Sequence, residues 1–199
     1  MLKAFHQEEF IEAGCDEAGR GCLAGPVFAA SVILPKDFEH SELNDSKIIT
    51  EDKRYELRSF IEEHAIAFSV AMVDNIEIDK INILNASFLA MHRALDNMDI
   101  KAEYLIIDGN RFKKYEKLQH ACIIKGDGKY YSIAAASILA KTYRDDYMKQ
   151  LHEQFPGYDW INNKGYPTKK HRDGIKKLGV TPFHRMSFTL LPDQLEIEF

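Results

Sequence analysis

The sequence predicts one α/β domain: a central five-stranded mixed sheet flanked by helices and completed by a C-terminal helical segment. Three observations carry this. Five apolar runs have strand length and strand composition, at residues 10–15, 27–34, 65–73, 104–107 and 121–124. Segments with helical spacing alternate with them or follow them. The 199 residues, 45% hydrophobic and 29% charged, are enough for one sizeable core. No repeat, low-complexity tract or proline- and serine-rich linker separates a second unit, so residues 1–199 are expected to form a single domain.

Each element has a local reason. Thr50 stands before Glu51 and Asp52, a capping hydroxyl followed by acids that suit a helix N-terminus, and Leu57, Phe60, Ile61 and His64 mark the inner stripe of that helix. A second helix is predicted from Ile81, Leu84, Phe88, Met91 and Leu95. Residues 132–154 read as a long helix. Its start is rich in alanine (Ala134, Ala135, Ala136, Ala140), which lets it approach a sheet or a site closely. Helices on both faces and the order of the strands favour a mixed sheet over an alternating barrel.

Several classes are excluded. The longest apolar run, 27–34, is broken by Ser31 and is far shorter than the roughly 20 residues of a membrane span. The start MLKAFHQEEF has neither the basic nor the apolar region of a secretory signal, so a cytoplasmic protein is expected. Cys15, Cys22 and Cys122 are odd in number and lack metal-ligand spacing, which predicts reduced thiols. Net charge is −5, but it is unevenly spread: residues 160–186 hold seven basic side chains against Asp173, a local +6 against −11 elsewhere. A local basic face can meet a polyanion although the chain as a whole is acidic.

The chemistry concentrates at strand ends. The first strand runs into Asp16, Glu17, Ala18, Gly19, Arg20 and Gly21. Side chains alternate along a strand, so the two adjacent acids are expected to share a site only where the strand ends or bends, with the glycines allowing it. Asp108 follows the apolar run Leu105, Ile106, Ile107, and Asp127 follows Ile123, Ile124, Lys125 and Gly126 in the same manner. Sheet edges of this kind hold catalytic groups in α/β proteins. Four carboxylates without a histidine or thiolate cluster fit hard ions, Mg²⁺ or Mn²⁺, and two such ions suit in-line displacement at a phosphodiester.

The segments 16–27 (DEAGRGCLAGPV), 44–47 (NDSK), 107–110 (IDGN), 125–127 (KGD), 132–141 (SIAAASILAK) and 164–168 (KGYPT), with His171 and His184-Arg185, together resemble bacterial ribonuclease HII. The resemblance spans about residues 11–188. It implies a ribonuclease H-like fold and an endonuclease that cuts the RNA strand of RNA–DNA hybrids, including 5′ to a single ribonucleotide embedded in duplex DNA, leaving 3′-hydroxyl and 5′-phosphate ends. The family's catalytic, metal-binding carboxylates fall on Asp16, Glu17, Asp108 and Asp127, with two divalent ions bound together with substrate. Its 2′-hydroxyl-reading motif falls on Gly19, Arg20 and Gly21, and its sugar-packing tyrosine on Tyr166. Lys47, Lys164, Lys169 and Arg172 are the expected phosphate contacts, the last three in a substrate-binding helical segment at about 160–190.

Departures from the family are few. Residues 194–199 lack the paired aromatics of a sliding-clamp-binding peptide, so no clamp binding is expected, and with the first strand expected about ten residues from the start no N-terminal domain like that of ribonuclease HIII is expected. A monomer acting on hybrids and ribonucleotide-containing DNA is expected, with no membrane partner. Two rivals share some of these residues: another two-metal nuclease of the same fold, and a hybrid-binding module without activity.

Overall fold

The computed structural model describes residues 2–43 and 49–192. Lys47, with the NDSK motif, and the tail 193–199 lie outside the described residues. The elements are β1 (Glu12–Ala18), β2 (Val27–Ile33), α1 (Glu51–His64), β3 (Ala67–Val73), α2 (Asn75–Ile81), α3 (Ile83–Asp96), β4 (Tyr104–Asp108), β5 (Gln119–Ile123), α4 (Tyr131–Gln154), α5 (Trp160–Asn163) and α6 (Lys169–Leu178). Short 3-10 turns at Gly126–Gly128 and Pro156–Tyr158 precede α4 and α5.

The strands form one sheet in the order β3-β2-β1-β4-β5. β2 runs antiparallel to β1 and β3, whereas β1, β4 and β5 are mutually parallel. The sheet is mixed, as the sequence predicts. Cys15 pairs with Ile107, and this register brings the next residues, Asp16 and Asp108, side by side where the parallel strands end.

Each face has its own core. Ala13, Cys15, Leu105 and Ile107 pack with Ala86, Ala90 and Met91 of α3. On the other face Ala30 and Val32 meet Leu57 and Ile61 of α1 and Ala134, Ala135, Ile138 and Leu139 of α4. Burial of side chains such as Leu57 and Ile61 stabilises by about 2 kcal/mol each. The alanines allow α4 to lie almost on the sheet. At Gly14 the approach is so close that a Cβ would sit 2.4 Å from the Ser132 carbonyl carbon and 2.5 Å from the Ile133 nitrogen. Leu23, Met148, Leu151, Tyr158, Trp160, Ile175 and Leu190 make a further cluster, joining the end of α4 to the C-terminal helices. No helix among the described residues is long and apolar enough to cross a membrane.

Some sequence expectations need correction. The first strand begins at Glu12 and runs through Asp16 and Glu17 to Ala18, because pairing with β2 continues to Ala18 opposite Phe28. Cross-strand hydrogen bonds here outweigh the polarity of the side chains. The last strand is Gln119–Ile123, and Ile124, beyond its end, is 62% exposed. The single helix expected through Ile81 and Leu95 is two helices. Asn82 breaks it with φ of 64°, and its side-chain oxygen accepts the Asn85 N–H to cap α3. His64 lies on no inner stripe: it is exposed and stacks on Phe60 at the end of α1, where its Nδ1 lies 2.9 Å from the Phe60 carbonyl oxygen.

Candidate active site

Alternation along β1 separates its two acids. Gly14 and Ala18 pack on the α4 side and Ala13 and Cys15 on the α3 side, so Asp16 faces α4 and Glu17 faces α3. No bend places them together. Their common neighbour is Asp108 at the end of the adjoining strand, which acts electrostatically on both. Asp16 is 5% exposed. Burial, then the charges of Glu17 and Asp108, push its carboxyl well above the usual range, partly opposed by hydrogen bonds from the Ser137 hydroxyl and the Glu17 N–H, the latter 2.7 Å long. Burial also raises Glu17, and Asp108 adds to this. The Arg20 guanidinium works against it, through Nη1 at 3.0 Å from Glu17 Oε1.

Asp127 joins the same edge through the turn before α4. Lys125 adopts the left-handed region with φ of 56°, which turns the chain back so that the Gly126 N–H donates to Asp108 Oδ1 at 2.6 Å. Asp127 itself is 2% exposed and accepts the Gly128 N–H at 3.0 Å. Among the described residues, no three acidic, imidazole or thiol groups are drawn close enough to hold an ion as they stand. The donor chemistry nevertheless fits a hard divalent cation. All donors are carboxylate oxygens, and the raised Asp16 and Glu17 mark an excess of buried negative charge that a cation relieves.

The Gly19–Gly21 loop lies beside these acids. Gly19 has φ of +96°, and a Cβ there would fall 2.0 Å from Arg144 Nε, so both conformation and space require glycine. The Arg20 side chain, half exposed, leans back onto Glu17. A Cβ at Gly21 would lie 3.9 Å from Tyr166 Cε1, so the loop passes near the tyrosine. The Tyr166 residue is 40% exposed, with its hydroxyl beside Cys22.

Two buried arginines fix these segments: Arg185, quoted above only as part of a motif, and Arg144, which the sequence reading passed over. Arg144 donates to the carbonyls of Pro26 at 3.0 Å, Lys164 at 2.8 Å and Ala24 at 3.2 Å. Arg185 donates to Gly25 at 2.9 Å and Arg20 at 2.9 Å. Together they tie the loop after β1 to the Tyr166 loop. A signal for Arg144 existed, since it shares a helical stripe with Ser137, Ala140, Met148 and Leu151, where a charged residue is out of place. Ser87 and Arg111, which line the cleft with Glu17, Arg20, Asp108 and Asn110, gave no such signal.

The expected phosphate contacts are less uniform than the charge count implies. Lys164 is buried and turned inward, donating to the Ile161 carbonyl and 4.0 Å from Glu51. Arg172 donates to the Leu190 carbonyl. Lys169 is exposed and pairs with Asp173 at 2.6 Å, and Lys170 lies 3.7 Å from Asp159. Much of the local +6 is therefore engaged within the protein.

His184 carries a measurable pH dependence. Burial, then the neighbouring His171, lower it from 6.5 to about 4. Between these values the unfolded chain binds the proton that the folded chain excludes, so stability falls as pH drops from 6.5 towards 4, by up to about 3 kcal/mol. His184→Gln removes the titration while retaining an N–H donor. Its denaturation midpoint should vary less steeply with pH across this window than that of the wild type, and coincident slopes would refute the assignment.

Comparison with known proteins bears on family and fold. The family profile described as Ribonuclease HII matches residues 13–191. Ribonuclease HII of Bacteroides fragilis is 66% identical over 198 residues, covering 99% of this chain and 98% of the relative. Among solved structures, ribonuclease H2 from Pyrococcus horikoshii superposes with a TM-score of 0.75 at 24% identity, covering 90% of this chain and 94% of the other. A Bst-RNase HIII in complex with Mn²⁺ gives 0.71 at 17%, covering 90% and 67% respectively. These structures share the ribonuclease H-like fold. With its profile match almost end to end and its acids gathered at one sheet edge, the chain belongs to the ribonuclease HII family and is a ribonuclease H, hydrolysing the RNA strand of RNA–DNA hybrids.

Proposed function

We propose that this enzyme also nicks duplex DNA 5′ to a single embedded ribonucleotide, leaving 3′-hydroxyl and 5′-phosphate ends, with two Mg²⁺ or Mn²⁺ ions bound by Asp16, Glu17, Asp108 and Asp127. The observation that carries this reading is that Gly21 lies so near Tyr166 that an added Cβ would just reach its ring, beside the Arg20–Glu17 pair. One backbone loop and one aromatic ring can then meet a single sugar and its successor, next to the acids. Such a reader needs only one 2′-hydroxyl, the group that distinguishes RNA from DNA. Support for the ions comes from the all-carboxylate donor set and from the Mn²⁺ named in the ribonuclease HIII complex.

When bound, the ions supply activation of the attacking water and neutralisation of charge on the leaving oxygen. The chain's own residues do the rest. Buried Asp16 and Asp127 give the reacting phosphate a water-poor wall, Arg20 balances Glu17, and the rigid Gly19–Gly21 backbone limits which sugar fits. The helical segment at about 160–190 contributes Tyr166 and, on the same reading, the phosphate contacts Lys164, Lys169 and Arg172, with Lys47 added from outside the described residues. The enzyme acts as a monomer in the cytoplasm.

The test is cleavage of an end-labelled duplex carrying one ribonucleotide, beside an all-DNA duplex, with Mg²⁺, Mn²⁺ or a chelator. A single metal-dependent cut 5′ to the ribonucleotide, absent from the all-DNA duplex, is expected, and equal cutting of both duplexes would overturn the reading. Millimolar Mg²⁺ or Mn²⁺ should also raise the melting temperature, because an ion that binds only the folded state stabilises it by mass action. Asp127→Asn should reduce that rise, and an undiminished rise would remove Asp127 from the ion site.

A further inference from the structure

Beneath the Tyr166 loop runs a buried hydrogen-bonded chain that the proposed reaction does not use. His171 and His184 are 0% and 1% exposed. Trp160 Nε1–H donates to His171 Nε2 at 2.9 Å, and His184 Nε2 lies 3.2 Å from the same atom. On its other side, His184 Nδ1 accepts the Thr181 N–H at 2.9 Å. That leaves the His184 proton on Nε2, where it is donated to His171. Two donors thus converge on His171 Nε2, which must carry a lone pair. The remaining imidazole proton is on Nδ1, 3.0 Å from the carbonyl oxygen of Tyr166.

The chain is directional: each donor hands its proton towards Tyr166. Filling this volume with apolar side chains would avoid burying two imidazoles, whose desolvation is offset only by these bonds. The carbonyl where it ends also accepts the Thr168 N–H at 2.8 Å, so its orientation is doubly fixed. The Gly165 N–H is held in turn by Asn163 Oδ1 at 2.8 Å. Trp160, His171 and His184 are buried, whereas Tyr166 is 40% exposed, near Gly21.

We propose that His171 is a positioning residue for sugar recognition, its Nδ1–H fixing the Tyr166 carbonyl and thereby the angle at which the ring meets the substrate. Trp160 and His184 enforce the tautomer that makes this possible. The inference rests on the reading of Tyr166 as the sugar platform.

Asparagine and glutamine separate the two ends of the ring. His171→Asn keeps an N–H near the Nδ1 position and loses the Nε2 acceptor, whereas His171→Gln reaches the Nε2 position and loses the donor to Tyr166. Both lose ring packing. For nicking of a single-ribonucleotide duplex, His171→Gln should lower kcat/KM by about tenfold or more, and His171→Asn by no more than about threefold, at comparable melting temperatures. In a Tyr166→Ala background, His171→Gln should have little further effect, as residues acting through one another are not additive. Losses in the two variants that simply follow melting temperature, or an unchanged His171→Gln penalty without the tyrosine ring, would overturn the proposal.

Tyr166→Ala cutting at the wild-type rate would instead remove the platform reading and the role given to His171 with it. A measurement independent of variant folding is the nitrogen spectrum of the wild-type imidazoles. It should show His171 protonated at Nδ1 and His184 at Nε2, and the reverse assignment at His171 would overturn the proposal.

Discussion

Asp16→Asn is expected to abolish cleavage while making the metal-free protein more stable. The two effects share a cause. Asp16 is buried with Glu17 and Asp108 acting on it, and its charged form is held at a disadvantage in the folded protein. Asparagine keeps the shape and an oxygen for the Glu17 N–H, but removes the charge. Cleavage should fall at least about 10³-fold, as when a charge-stabilising group is lost from an active site. Without divalent ions, melting should rise by roughly 2–4 °C, equivalent to about 1 kcal/mol in a chain of this size. Calorimetry in chelator, paired with the nicking assay, checks both. Near-wild-type cutting would mean that Asp16 is not catalytic, and a lower melting temperature would mean that charge burial is not what strains the site.

The second large effect is purely steric. Gly14→Ala should destabilise the protein by about 3 kcal/mol or more, because the new methyl meets the backbone of α4 at 2.4 Å and a helix backbone cannot yield as a side-chain tip does. The melting temperature should fall by roughly 6–12 °C. Activity should fall further than stability alone explains, because α4 carries Ser137, the Asp16 partner, and Arg144, which ties down the loops proposed to read the substrate. Gly128→Ala is the control. Nothing lies within 4 Å of a Cβ there, so its denaturation midpoint should barely move. Equal losses in the two variants would show that Gly14 does not set the approach of helix to sheet.

The parts legible in the sequence are those with a local signal. Thr50 capped the helix expected of it, the alanine-rich start of α4 packs tightly, and the four acids lie on one edge because each sits at a strand end or just beyond it. The misplaced start and end of β1 show where local signals stop. Asp16 and Glu17 have poor strand propensity, and only pairing with Ala30 and Ala29 of β2 makes them strand residues. Their division between two faces follows from that pairing. Charge counting carries less in the C-terminal segment, since a composition cannot show that Arg185 is fully buried or that Arg172 points at a carbonyl. The imidazole chain was beyond reach for a similar reason, because its directionality depends on which nitrogen meets which donor.

The parallel pairing of β1 with β4 also governs when the enzyme becomes dangerous to its surroundings. At the base of this pair, the Ile11 N–H bonds Glu103 across 92 residues of chain. Closing so long a loop is entropically unfavourable and belongs to the slow part of folding. During synthesis Asp16 and Glu17 emerge well before Asp108 and Asp127 exist. If the four acids are the catalytic set proposed above, a nascent, truncated or half-folded chain holds them apart and should not cut. On that proposal, nuclease activity should appear only when the central strands are zipped together, and cleavage itself would report completed folding.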